Sequence, residues 1–396
     1  MSRPDLPRVV LKHGRDRRVR AGHLWVYTGE IARADAAAGP GEAVDVVDHR
    51  GRFLARGDYN PASSLAVRIL TRDRGEPLDA AFLRRRISEA VAWRRTFYAA
   101  GESCRLVFSE GDRLPGLMVD RYGPVLVIQI STLGMDRRRE AIVAALEDTL
   151  HPRGIYERSD LTIRVREGLE SRTGVLAGEV PETIEVELDG LRFLVHPREG
   201  QKTGLFLDHR FNRRLTGTLA RGRRVLDVFC NTGAFALYAL AGGATRAVGL
   251  EVSPDCLATA RLNAAANGCT DRSDWMEGNA FDTLRALEKQ GDRYDLIVLD
   301  PPAFTKSAAA VAAAVRGYKE INLRAFRLAA PGAILVTASC SFHLGPEEFL
   351  QVVRDAAADA HRDAVLIGMH GQAPDHPIHL AVPESRYLKC AFLLVR

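Results

Sequence analysis

The sequence predicts an α/β protein whose C-terminal part is a doubly wound, mainly parallel sheet, preceded by a small β-rich domain and a small α+β domain. Three observations carry this. At 396 residues the chain is too long for one ordinary domain. Its first part holds short β-type runs between Gly, Pro and Asn turn signals. Its last part alternates apolar strand-like runs with helical patterns, the signature of a parallel sheet covered by helices.

In chain order, EAVDVVD, RFLARGDY and LAVRIL are the strands of the first domain, residues 1–72. From Leu78 to about Ala100, Phe82, Ile87, Val91 and Phe97 recur near helical spacing with arginines between them, which predicts an amphipathic helix. A hairpin (LVFSEGDRLPGLMVDRYG with PVLVIQIST), a helix through REAIVAALEDTL and a strand at GIYERSD complete a central domain, residues 73–184. The third domain, residues 185–396, opens with an alternating hairpin around Asp189-Gly190. RRVLDVFC, RAVGLEV, DLIVLD, GAILVTASC, AVLIGMH and LKCAFLLVR follow as strands, with a helix after Thr232 and another capped by Ser253.

Composition narrows the class. Hydrophobic residues make up 46% and charged residues 27%, the balance of a globular protein rather than a disordered one. No run reaches the roughly 20 apolar residues of a membrane span, and MSRPDLPRVVLKHGRDRRVR has no signal-peptide apolar stretch, so no membrane association and a cytoplasmic location are expected. The six cysteines are scattered without CxxC pairs or zinc-like spacing, which suits a reducing compartment and predicts no metal site. The net charge of +5 is modest, but Arg3, Arg8, Lys12, Arg15, Arg17, Arg18 and Arg20 crowd the N-terminus and Arg84, Arg85, Arg86, Arg94 and Arg95 punctuate the later helix. Such clusters fit phosphate contacts, and equally a solvated surface.

Candidate chemistry sits at strand ends, where a doubly wound sheet keeps its ligand crevice. Asp227 to Phe235 (DVFCNTGAF) turns a strand into a helix, with Gly233 letting a ligand approach backbone amides and Asp227 available to a cationic or hydroxylated group. Glu251 ends the next strand, where a carboxylate can accept from both ribose hydroxyls. Asn279 fits an adenine edge or a helix cap equally. Asp300-Pro301-Pro302-Ala303-Phe304 stiffens the fourth strand end, so that Asp300 meets a planar base and Phe304 can stack on it. Cys340, where AILVT turns into ASCSF, is a candidate nucleophile or a small buried hydrophobe.

Together these residues resemble the bacterial class I S-adenosylmethionine-dependent methyltransferases that modify carbon 5 of a cytosine in large-subunit ribosomal RNA. GQKTGLFLDHR, FCNTGAFAL, LDPPAF, RGYKEIN and SCS occur in that family's order, and RVVLKHGRDRRVRAGHLWVYTGEI is similar to its N-terminal PUA domain, an RNA-binding β-barrel. The resemblance implies a Rossmann-like methyltransferase domain that takes S-adenosyl-L-methionine as cofactor. It implies donor contacts from Thr203, Phe206, Asp208, Arg210, Asp227, Asn231, Thr232, Gly233, Glu251, Val252, Asn279, Ala280 and Asp300, with the segment from Lys202 to Arg210 folding over the donor. Cys340 and Asp300 become the catalytic pair, and Lys12, Arg15, Arg18, Pro302 and Phe304 the contacts to large-subunit ribosomal RNA. The family more often has Gln at the position of His209, and Ala303 stands where some RNA cytosine methyltransferases carry a second cysteine. A homodimer is left open. The competing readings are a methyltransferase acting on another acceptor atom, such as an exocyclic amine, and an inactive RNA-binding assembly factor.

Overall fold

The computed structural model describes residues 6–200, 203–304 and 311–396. They form two compact units, one of Met1–Val186, Val195–Leu207 and Pro374–Ser385, the other of Glu187–Leu194, Asp208–Ala373 and Arg386–Arg396.

In the first unit the β-rich part is a six-stranded sheet in the order Trp25–Val26, Val67–Thr71, Phe53–Tyr59, Glu42–Val47, Arg8–Leu11 and Ile31–Ala34, curled as a half-barrel. Valines suit its pleated surface, and Val9, Val26, Val44, Val46 and Val67 pack inside the curl with Leu11 and Ile69. A five-stranded sheet follows, ordered Arg172–Gly178, Gly154–Ser159, Val125–Ile130, Leu117–Tyr122 and Cys104–Phe108. The helices Ala80–Arg94 and Arg139–Leu150 pack against it through Phe82, Leu83, Ile87, Ile142 and Leu146. Asp79 caps the first helix by accepting from the Phe82 amide at 2.9 Å. That helix stops at Arg94, so Phe97 lies past its end and is 45% exposed instead of extending the apolar stripe.

Arg94 is the arginine of this helix that charge counting misreads. Its side chain is buried, its guanidinium bonding both Asp112 oxygens at 2.5 and 2.7 Å and the Asp375 carbonyl at 2.6 Å. Asp375 in turn accepts from the Arg105 amide at 2.9 Å, which fixes Pro374–Ser385 within this unit. Arg84, Arg85 and Arg86 pair with Asp148, Glu76 and Glu89.

The elements of the second unit are numbered from its first helix: α1 (Arg210–Thr218), β1 (Arg224–Val228), α2 (Ala234–Ala241), β2 (Arg246–Glu251), α3 (Pro254–Ala266), β3 (Ser273–Glu277), α4 (Ala280–Gln290), β4 (Tyr294–Leu299), α5 (Val311–Leu328), β5 (Ala329–Ser339), α6 (Pro346–Asp359), β6 (Ala364–His370) and β7 (Lys389–Val395). The sheet order is β3-β2-β1-β4-β5-β7-β6. β1 to β5 run parallel, and β7 lies antiparallel between β5 and β6. Strands β1, β2 and β4 are almost wholly buried, as helices on both faces require. Leu226, Val228, Leu299, Tyr318, Phe326 and Phe349 belong to one core cluster. The chain builds β1 to β3 in one direction and then returns to β4, so the switch point lies between β1 and β4 at their carboxyl ends.

Local signals account for the punctuation. Ser253 accepts from the Cys256 amide at 3.3 Å with Pro254 at the first helical position of α3. In the hairpin Ile184–Leu188/Leu191–Val195, Asp189 and Gly190 take φ of 52° and 81°, the two left-handed residues of a tight turn that matches strand twist.

Replacing Arg94 by Met strands the buried Asp112 carboxylate. The first unit is expected to lose about 3–5 kcal/mol, read as a lower urea midpoint in amide exchange of residues 80–130, while exchange in the second unit stays unchanged.

Candidate active site

Three carboxylates gather where the sheet reverses. Asp227 is the fourth residue of β1, Glu251 ends β2, and Asp300 follows β4 with its amide bonded to the Val228 carbonyl at 3.3 Å. Their partners differ. Glu251 accepts from the amides of Asn231 at 3.0 Å, Val252 at 2.9 Å and Ser253 at 3.2 Å. Asp300 Oδ1 stands 3.2 Å from His209 Nε2. Asp227 is fully buried and uses one oxygen to accept from the Ala236 amide at 3.0 Å. Burial, with the charges of Asp300 and Glu251 adding to it, pushes its carboxyl up to about 8 against the partial relief of the Ala236 amide and Arg213.

The turn between β1 and α2 is held in an unusual backbone. Phe229, Asn231 and Gly233 have φ of 64°, 50° and 82°, while the amides of Phe229 and Cys230 bond the Leu250 carbonyl at 2.9 and 3.1 Å. Gly233 has a second reason to be glycine besides a close ligand. A Cβ there would overlap the indole of Trp275, which comes from β3. Trp275 thus supports the turn.

Two buried polar atoms here have no hydrogen-bond partner among the described residues, Asp227 Oδ1 and Thr232 Oγ1. Buried polar groups are normally satisfied, so these two fit a ligand bearing an ammonium and further polar groups. The Val252 side chain is 66% exposed beside Glu251, an apolar surface for a flat base. Asn279 caps α4 by accepting from the Phe281 amide at 2.9 Å, followed by buried Ala280. The two uses weighed for Asn279 share one side chain, and the cap is the one present.

Other residues of the set are committed to protein partners. Arg210, buried at the start of α1, bonds both Asp189 oxygens at 3.1 and 2.8 Å, and the Tyr238 hydroxyl donates to Asp189 at 2.7 Å. Asp208 accepts from the Tyr387 hydroxyl at 2.6 Å. Thr203 and Phe206 belong to the first unit, where the Thr203 hydroxyl donates to Asp120 at 2.6 Å. Lys202, Arg3 and Asp5 lie outside the described residues. Pro302 is exposed, and half-buried Phe304 sits among Tyr318, Phe281 and Phe229 with ring centroids 4.7, 5.9 and 6.4 Å away. In the first unit Lys12 and Arg15 are exposed, with Lys12 Nζ on the Gly29 carbonyl at 2.9 Å. Arg18 bonds His23 at 2.7 Å and lies 4.8 Å from the Tyr27 ring centroid.

Cys340 follows the last residue of β5 and is partly exposed. Sequence reasoning missed its neighbour Lys389, the first residue of β7, which pairs in register with Ser339. Its buried ammonium donates to the Ser341 carbonyl at 2.7 Å. Burial pushes it down to about 8, and the charge of Cys340 pulls the other way. A lone lysine opening the apolar run LKCAFLLVR was the signal available. The Tyr318 hydroxyl lies 2.9 Å from Ser341 Oγ.

Residues 125–374 match the family model of S-adenosylmethionine-dependent methyltransferases, and residues 9–72 match a PUA-like domain. A curated relative, ribosomal RNA large subunit methyltransferase I of Salmonella arizonae, is 39% identical over 390 residues, covering 98% of this chain and 97% of its own. Two solved structures share the fold at 18% identity, each covering 98% of this chain and 99% of its own. A candidate methyltransferase from Streptococcus mutans has a TM-score of 0.84, and a candidate methyltransferase complexed with SAH has 0.85.

The raised Asp227 carboxyl would make the binding of a ligand ammonium against it proton-linked. The folded protein holds this proton more tightly than the unfolded chain, so the stability it contributes is fully present below about 3.8 and is lost as pH rises through about 8. An ammonium seated against Asp227 favours the anion. Calorimetry of S-adenosylhomocysteine binding near neutral pH, in buffers of different ionisation enthalpy, is expected to show release of about one proton. In Asp227→Asn that release disappears.

Proposed function

Because the chain belongs to the S-adenosylmethionine-dependent methyltransferases and carries a PUA-like domain before that fold, we propose that it methylates carbon 5 of a cytosine in large-subunit ribosomal RNA through a covalent adduct with Cys340. The observation that carries this reading is the buried ammonium of Lys389, which donates to the Ser341 carbonyl one residue past Cys340 and feels the charge of Cys340, because a neighbouring cation favours the thiolate that such an attack needs. The name of the Salmonella relative supports the choice of RNA.

Carbon 5 of cytosine is a poor nucleophile until carbon 6 is attacked. The Cys340 thiolate adds to carbon 6, and the electron pair it displaces is taken up through the ring towards N3, where Asp300 provides a hydrogen bond or a proton. S-adenosylmethionine supplies an electrophilic methyl group, which carbon 5 takes with release of S-adenosylhomocysteine. Loss of the carbon-5 proton then reforms the double bond and expels the thiolate. Asp227, Asn231, Thr232 and Gly233 are read as lining the methionine part of the donor, Glu251 as holding its ribose, and Val252, Asn279 and Ala280 as bordering its adenine. Asp208 and Arg210 are read as orienting the site, in the same chain segment as Thr203 and Phe206. Exposed Lys12 and Arg15, with Arg18, suit phosphate contacts, and Pro302 and Phe304 border the base. The target nucleotide must leave its stack to reach a crevice at strand ends.

Large-subunit ribosomal RNA incubated with methyl-labelled donor is expected to yield 5-methylcytidine with the wild-type protein and none with Cys340→Ala. Label in another nucleoside, or undiminished labelling by the variant, would overturn the adduct and favour an exocyclic amine as acceptor.

A further inference from the structure

His209 takes no part in the chemistry just described, yet its surroundings leave its two ring nitrogens no choice of role. The residue is 3% exposed at the start of α1, its ring edge-on to Phe235 at 5.3 Å. Asn212, one turn on, presents its Nδ2 to the Gly371 carbonyl at 3.2 Å and to His209 Nδ1 at 3.1 Å. A carbonyl oxygen can only accept, so that end of the Asn212 amide is the NH₂ group. It therefore donates to Nδ1, which must be the unprotonated nitrogen of a neutral ring. The proton then sits on Nε2, and Nε2 faces Asp300 Oδ1 at 3.2 Å.

We propose that His209 is a positioning residue for Asp300. Gly371 orients Asn212, Asn212 fixes the Nε2-protonated tautomer of His209, and His209 donates to Oδ1 of Asp300. Oδ1 is thereby kept as an acceptor towards the protein, and Oδ2 is the oxygen that meets the target base. Any proton Asp300 carries resides on Oδ2, directed at the base rather than at the protein. The inference rests on the reading of Asp300 as the residue that meets the base, and it goes beyond that reading by naming what selects the oxygen. The chain of donors is Asn212 to His209 to Asp300, and only a side chain that accepts at one end and donates at the other fits its middle. Glutamine does so, with Oε1 in place of Nδ1 and its NH₂ in place of Nε2–H. Alanine and leucine do not.

The test measures methyl transfer to ribosomal RNA in His209→Ala, His209→Gln, Asp300→Asn and the double variant His209→Ala/Asp300→Asn, with donor affinity and melting temperature for each. His209→Ala is expected to lower kcat by about a hundredfold, the cost of a misplaced catalytic group, with donor affinity unchanged. His209→Gln keeps most of the activity, and the double variant is no worse than Asp300→Asn alone. Nitrogen NMR of histidine-labelled protein gives a readout apart from activity. The His209 signal, identified by its loss in His209→Gln, should show the Nε2-protonated tautomer in wild type and gain a proton on Nδ1 in Asn212→Asp, whose carboxylate can only accept.

Full activity of His209→Ala beside an inactive Asp300→Asn would overturn the positioning role and leave the reading of Asp300 intact. Full activity of Asp300→Asn would remove that reading and this inference with it. His209→Gln as impaired as His209→Ala, or an Nδ1-protonated ring in wild type, would also sink the proposal.

Discussion

Like-charge crowding at the carboxyl ends of β1, β2 and β4 is the constraint around which the second unit is organised. Parallel strands bring Asp227, Glu251 and Asp300 to one end of the sheet, where burial, with the charges of the other two adding to it, raises the Asp227 carboxyl. Each carboxylate is accommodated differently. Glu251 is ringed by three backbone amides, which explains why the turn after β1 tolerates left-handed backbone at Phe229 and Asn231: that conformation presents the Asn231 amide to Glu251. Asp300 leans on the His209 ring. Asp227 has a single amide donor and a second oxygen without one, so its charge is relieved chiefly by holding a proton. Such a site is poor at accepting anions and well matched to a ligand that brings positive charge, as the sulfonium and ammonium of the donor do.

Much of the fold was legible because local rules and tertiary packing agree. The Asp189-Gly190 turn needed two left-handed residues and had them, Ser253-Pro254 announced the start of α3, and REAIVAALEDTL is the observed helix to the residue. Each signal is written within a few residues of the feature it specifies. The antiparallel placement of β7 between β5 and β6 was not legible, since an apolar run carries no direction. Nor was the return of Pro374–Ser385 to the first unit, which rests on Arg94 and Arg105 meeting Asp375 across most of the chain. Arg94 shows the same limit in another form. One arginine among five on a helix looks like surface charge until the aspartate that buries it is known.

The site divides along the same line. Asp227, Glu251 and Asp300 could be found because an acidic residue closing an apolar run sits at a strand end, and strand ends in this fold face one crevice. The contacts of Asn212, Trp275 and Lys389 could not be read from sequence, because their partners are set by register and packing. Trp275 meets Gly233 only through the pairing of β3 with β2 beside β1, and Lys389 meets the Cys340 turn only through the β5–β7 register. Arg210, two residues from Asp208, reads as part of the donor segment, and its guanidinium also holds the Asp189 turn together with Tyr238.

The cysteines show how one fold can suppress five thiols. Burial pushes Cys104 up to about 12 and holds Cys230 and Cys390 well above the ordinary thiol range, in the latter two with help from nearby carboxylates. Cys256 and Cys269 are also raised by burial. These five are therefore thiols at neutral pH, poor nucleophiles and poor targets for oxidation. Cys230 is the instructive one, since it lies in the turn beside Asp227 and Glu251, where proximity to the donor would invite a catalytic reading. The acidic crowding that suits a cationic donor disfavours a thiolate there. Cys340 lies one strand further, past β4, where the buried Lys389 ammonium feels its charge. The sheet thus separates two electrostatic environments: acidic strand ends at β1 and β2, and a buried ammonium beside the sulfur at β5.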